Sequence, residues 1–159
     1  MVEDARFEDG GEAPLHLKAL DPDDLTVLST LVQDGVVPVT EISFNSTTRR
    51  FAMLVNRFRW EDVAAAQARG RDVERVQSVL MFDDVSKARS MGVDGGHKDT
   101  VVSILALAFH AGKDGTGRIE ITLAGDGAIA LDVETIDATL KDVTRPYVAP
   151  SHKAPSHPD

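Results

Sequence analysis

Five Asp-Gly dipeptides, at 9–10, 34–35, 94–95, 114–115 and 126–127, punctuate the chain. Asp-Gly tolerates the positive φ that tight reversals need, so each marks a turn. Between them lie β-rich runs. Val36–Asn45 and Arg49–Trp60 form a hairpin through Ser46-Thr47-Thr48. Val76–Asp83 and Val85–Met91 follow as further strands. Val101–His110 is apolar on both faces, as a central strand should be. Arg118–Ala124 and Ala128–Val133 flank Gly125-Asp126-Gly127, the strongest hairpin signal in the chain.

Helical signals are few. DPDDLTVLSTLVQDG, residues 21–35, carries a capping Asp21, Pro22 at the first helical position, and Asp23 and Asp24 at the positive end of the helix dipole. Leu25, Leu28, Leu31 and Val32 then share one face. Ile136, Leu140 and Val143 also recur at helical spacing, which predicts a C-terminal helix over 134–143; a continued strand with a bulge is the rival. Residues 61–69 read as a weak helix or a loop insertion.

The expected fold is therefore α+β. It is a six- to seven-stranded, mainly antiparallel bent sheet or partly open barrel with an N-terminal and a C-terminal helix, compatible with a pleckstrin-homology-like arrangement. A length of 159 residues fits one domain, placed at 14–146. An acidic stretch 1–13 and a Pro/Ser/His-rich stretch 147–159 read as flexible tails.

Composition removes several function classes. With no cysteine there is no disulfide framework, thiolate metal site or cysteine nucleophile. A net charge of −9 disfavours nucleic acid as a partner. The longest strongly apolar run, residues 101–109, is too short to span a bilayer, so no membrane is expected. The N-terminus has neither the basic nor the apolar region of a signal peptide, which makes a cytoplasmic setting the default.

Four stretches resemble one small bacterial family. They are the L-x-x-L-x-x-L-V-Q-D-G helix (25–35), R-R-F-A-M-L-V-N-R-F-R-W-E (49–61), F-D-D-V-S-K-A-R-S-M-G-V (82–93) and G-D-G-A-I-A-L-D-V-E-T-I (125–136). The family is catalogued as domain of unknown function 2948, and the resemblance covers roughly residues 15–147. It implies a cytoplasmic setting and carries no activity, cofactor or catalytic residue.

Chemistry-bearing candidates come from two places. Arg49, Arg50, Arg57, Arg59, Arg69, Arg71 and Arg75 are seven of the 17 basic residues, all within the ribbon 49–75. With Trp60 or Phe58 as a stacking surface, Arg49, Arg50, Arg57 and Arg59 read as an anion or nucleotide site. The plainer reading is a solvated strand end whose arginines meet local carboxylates such as Glu61, Asp62, Asp72 and Glu74. In the loop 94–99, Asp94, His97 and Asp99 have metal-ligand chemistry, and with Asp84 they define a metal-dependent hydrolase alternative. The plainer reading there is a polar turn before a strand. Asp83 and Asp84 are neighbours that point to opposite faces of a strand, and no serine sits in a Gly-x-Ser-x-Gly elbow. No cofactor is implied. The leading expectation is a non-catalytic binding module with a protein partner or a second copy of itself.

Overall fold

The computed structural model describes residues 14–93 and 99–148. The stretch 1–13, expected as a tail, lies outside them, as do residues 94–98 and, of the tail expected over 147–159, all but Tyr147 and Val148, which form a strand. In chain order the elements are β1 (His16–Ala19), α1 (Pro22–Val32), β2 (Val36–Pro38), a 3-10 turn (Val39–Glu41), β3 (Ile42–Asn45) and β4 (Arg50–Phe58). A second 3-10 turn (Trp60–Asp62), α2 (Val63–Ala68), β5 (Glu74–Phe82), β6 (Val85–Met91) and β7 (Val101–Ala111) follow. Then come β8 (Gly117–Leu123), β9 (Ala128–Val133), β10 (Ala138–Asp142) and β11 (Tyr147–Val148).

These strands form one 11-stranded sheet in the order β1-β10-β5-β4-β2-β7-β8-β9-β6, with β3 paired to β4 and β11 to β5. Every ladder is antiparallel. This corrects the expected α+β fold of six to seven strands between two terminal helices. The C-terminal helix expected over 134–143 is instead β10, held between β1 and β5. The pleckstrin-homology analogy, which needed that helix, falls with it. The physical reason lies in burial. Ala138, Thr139, Leu140 and Asp142 are all buried, so this segment shows no alternation. Val143, the last apolar residue of the supposed helical face, is exposed.

Two corners make the sheet return on itself. Only Asp83 and Asp84 separate β5 from β6, and residues 134–137 separate β9 from β10. The backbone ladder continues through both: Asp83 N–H donates to Asp137 O (2.9 Å) and Glu134 N–H to Asp84 O (3.1 Å). The β5–β10 pair therefore runs on into the β6–β9 pair as one bent ribbon. At the same corner Val85 N–H donates to Arg49 O (2.9 Å), next to the start of β4. A single buried cluster fills the interior. It takes Met53, Leu80 and Phe82 from one half of the sheet, Ile119, Ile121 and Leu131 from the other, and Leu25 and Leu28 from α1.

Local chemistry explains the turns. Asp21 Oδ1 accepts from Asp24 N–H (2.8 Å) and caps α1, with Pro22 in its first turn. Gly125 and Asp126 have φ of 80° and 67°, and Asp114 and Gly115 have 56° and 83°. Two successive positive φ values make the reversals whose twist matches antiparallel strands. Asn45 Oδ1 accepts from the Thr47 and Thr48 amides (3.0 and 3.2 Å), which closes the β3–β4 hairpin.

The run expected as one strand, 36–45, is interrupted by the 3-10 turn after Pro38. Its first part pairs with both β4 and β7, its second with β4 alone. Strand β7 is central in the order, yet Val101 and Leu105 are exposed. A bulge at Leu105 switches which face its side chains present, so Ile104 and Leu107 are both buried. Beyond the bulge, Leu107 N–H donates to Ser29 Oγ of α1 (2.9 Å), where β2 has already ended. No helix of the described residues is long and apolar enough to cross a membrane.

Candidate functional site

The arginine-rich ribbon is where the sequence placed its most chemical side chains. Along β4, Phe51, Met53, Val55 and Arg57 share the core face by strand alternation, and all four are buried. The polar half of the strand thus stays inside the molecule, whereas the sequence reading had it leaving the core. Arg57 is 0% exposed.

A buried guanidinium has five N–H donors to satisfy. Arg57 uses all of them. Nε donates to Ser78 Oγ (2.9 Å), and Nη1 to Phe58 O (3.1 Å) and Glu61 Oε1 (2.9 Å). Nη2 donates to Glu61 Oε2 and Asp142 Oδ1, each at 2.9 Å. Ser78 Oγ in turn donates to Asp142 Oδ1 (2.7 Å), and Leu15 N–H donates to Asp142 Oδ2 (2.9 Å). Burial works to lower the Arg57 pKa. The hydrogen bonds and charge of Glu61, followed by those of Asp142, outweigh it and hold the pKa above the ordinary arginine value.

Arg59 is also buried. Its Nη1 meets Glu74 Oε1 (2.6 Å) and Asp62 Oδ2 (3.3 Å). Arg71 Nη1 reaches the same Asp62 oxygen (2.8 Å). The hydrogen bond from Arg71 holds the Asp62 carboxyl below the usual aspartate range, against the opposite pull of burial, with the charge of Arg59 adding to it. Arg50 Nε bonds Asp83 Oδ1 (2.8 Å), and Arg49 pairs with Glu134. The Arg75 guanidinium lies 4.4 Å above the Phe58 ring. Trp60 Nε1 donates to Gln33 O (2.9 Å), and its ring sits 5.5 Å from that of Phe58. The structure therefore brings Arg57, Arg59, Phe58 and Trp60 together around one turn. Arg49 and Arg50 lie at the other end of β4, beside the corner.

Of the metal-ligand candidates, only Asp84 and Asp99 are among the described residues. Asp94 and His97 fall outside the described residues. Asp84 occupies the β5–β6 corner with φ of 59°, and Asp99 is exposed on the far side of β6 in the chain. Among the described residues no three His, Asp or Glu side chains converge as a metal site.

Two clefts remain. A groove of about 470 Å³ contains Ser86, His110, Arg118, Asp132 and Glu134. Ser86 Oγ donates to the Asp132 backbone carbonyl (3.2 Å), and the Asp132 carboxylate is held by Arg89 (3.1 Å) and Arg118 (3.5 Å). This serine and carboxylate are committed elsewhere and do not form a nucleophile relay. The other cleft, about 260 Å³, opens between β3 and β6. Ile42 and Phe44 form one wall, Ala88, Arg89 and Ser90 the other, with Phe51 at the base of the cleft.

Sequence reasoning missed Ser78, Asp142 and this cleft. Arg57 sharing alternation with Phe51, Met53 and Val55 was the one available signal that it faces inward. The cleft had none, because it is formed by strands 40 residues apart.

One family model matches the chain, over residues 15–157, and its description is a protein of unknown function (DUF2948). No curated protein and no solved structure matches.

Proposed function

The chain belongs to the DUF2948 family, and from that premise we propose that it is a non-catalytic interaction module whose partner is another protein or a second copy of itself. One observation carries this reading: the charged groups best suited to chemistry are committed to one another. Arg57 has no donor left for a ligand, and Arg59 is buried against two carboxylates. An anion site on Arg49, Arg50, Arg57, Arg59 and Trp60 would first have to displace Glu61, Asp142, Glu74, Asp83 and Glu134, and to free the indole from Gln33. At the buried Arg57 and Arg59 each displacement strips a charged hydrogen bond, worth about 1.5–3 kcal/mol, whereas the exposed pairs of Arg49 and Arg50 contribute about 0–1 kcal/mol. A partner surface needs no such disruption.

Native mass spectrometry on the untagged protein, purified gently from its own cells, tests the reading. The expected result is a mass equal to the chain plus a protein partner, or to two chains. A chain retaining only a small molecule or a metal would overturn it.

A further inference from the structure

We propose that Asp114 is a chemical modification site, at which the folded chain converts aspartate to isoaspartate without an enzyme. This goes beyond the interaction reading and does not depend on it.

The reaction closes a five-membered ring. The Gly115 amide nitrogen attacks Asp114 Cγ and loses its proton, and the carboxyl group gives up one oxygen as water. Water then opens the succinimide at the former peptide carbonyl, so the chain runs through Cγ and the α-carboxyl becomes the free one. Atoms balance over the two steps, and nothing but water enters or leaves. Asp-Gly suits this chemistry, because glycine has no Cβ to obstruct the approach or the backbone rotation that the ring demands. Sequence alone therefore nominates every Asp-Gly dipeptide. The fold decides among the three whose residues are described, 34–35, 114–115 and 126–127.

Two of these are clamped. Gly35 is buried, its N–H donates to Val32 O (2.9 Å), and its carbonyl accepts from Ile104 N–H (2.9 Å). A Cβ placed on Gly35 would lie 2.5 Å from Val55 Cγ1. Gly127 is buried too, and its carbonyl accepts from Leu123 N–H (2.8 Å). A Cβ placed there would lie 3.3 Å from Gly92 O and 3.5 Å from Leu123 Cβ. Ring closure at either pair first requires a packed backbone segment to open.

Asp114-Gly115 is held by none of these constraints. Both residues are exposed, and a Cβ built on Gly115 meets nothing within 4 Å. They are the central pair of a turn closed by Thr116 N–H to Lys113 O (3.0 Å) and Gly112 N–H to Thr116 O (2.7 Å). Both bonds flank the pair, and the Gly115 N–H donates to none of the described residues. The attacking nitrogen is thus bare, at a loop tip, where local opening is easiest. The product lengthens the tip by one backbone atom and puts a carboxylate on the main chain at the rim of the larger groove, which Gly112, Thr116 and Gly117 line.

The test is prolonged incubation of the whole wild-type protein near neutral pH, folded and in urea. Digestion and electron-transfer fragmentation then separate isoaspartate from aspartate at each position. In the folded protein isoaspartate should accumulate at 114 at least about tenfold faster than at 34 or 126, the ratio expected when those two must first lose a hydrogen bond or a packed contact. In urea the three rates should converge. No isoaspartate at 114, or as much at 34 or 126 as at 114, would overturn the proposal. A ranking that persists in urea would overturn it as well, since the selectivity would then come from neighbouring residues and not from the fold.

Discussion

Arg57 holds its charge in a site without solvent, and such a charge is tolerated only while its counter-charges stay in place. Arg57→Met would leave the Asp142 carboxylate buried with Ser78 and one backbone amide for company. Breaking a buried pair from one side costs about 3–5 kcal/mol, whereas replacing both partners with apolar residues can be nearly neutral. Urea unfolding of Arg57→Met should show a loss of that order, and Arg57→Met with Asp142→Leu should recover part of it. An equal loss in single and double variants would show that the Asp142 carboxylate carries no burial penalty once Arg57 is gone. Asp62 gives a pH-dependent counterpart. Its folded pKa is depressed, so its contribution is present above the unfolded aspartate pKa, about 3.9, and fades as pH falls through the lower folded value. The stability gap between wild type and Arg71→Gln should therefore narrow as pH drops below about 4. A gap that stays constant through acid would assign the Arg71 effect to packing. The inward direction of Arg57 was readable from the parity of β4. Its partner was not, because Asp142 lies 85 positions away in a segment whose apolar spacing fits two periods.

At the level of elements, the positions that allow only one backbone conformation were the readable ones. Asp21-Pro22 announced α1, and Gly125-Asp126-Gly127 announced the β8–β9 hairpin, because each serves a geometry that few residues accept. Gly125→Val tests this directly. At φ of 80° a β-branched side chain meets its own backbone, and the expected loss is about 1–3 kcal/mol by thermal unfolding. Wild-type stability in Gly125→Val would mean that the turn can change type without disturbing the ladder. Strand β10 shows what such signals leave out. Strand alternation is visible only where one face meets water, and β10 is buried nearly throughout. With the period erased, Ile136, Leu140 and Val143 imitated a helix. The short strands β1 and β11 went unread, and β2 and β3 were read as one strand, for a different reason: pieces of two to four residues are fixed by their partners, not by any pattern of their own.

Across the whole molecule, pairing joins segments that are distant in sequence. Strand β1 lies against β10 with His16 opposite Lys141, and Asp142 N–H donates to Leu15 O (2.9 Å). Many such pairings must lose loop entropy before contacts compensate, which slows folding. Refolding after rapid dilution from urea should fall in the millisecond-to-second range of sheet-dominated domains. A microsecond phase carrying the full amplitude would contradict this. The same arrangement has a meaning during synthesis. Strand β1 is made well before the β10 it is seated against, and Arg57, already beside Glu61, waits for the Asp142 carboxylate that arrives with β10. Until β10 is made, the nascent chain carries a cation short of one of its two counter-charges and an empty berth on β5.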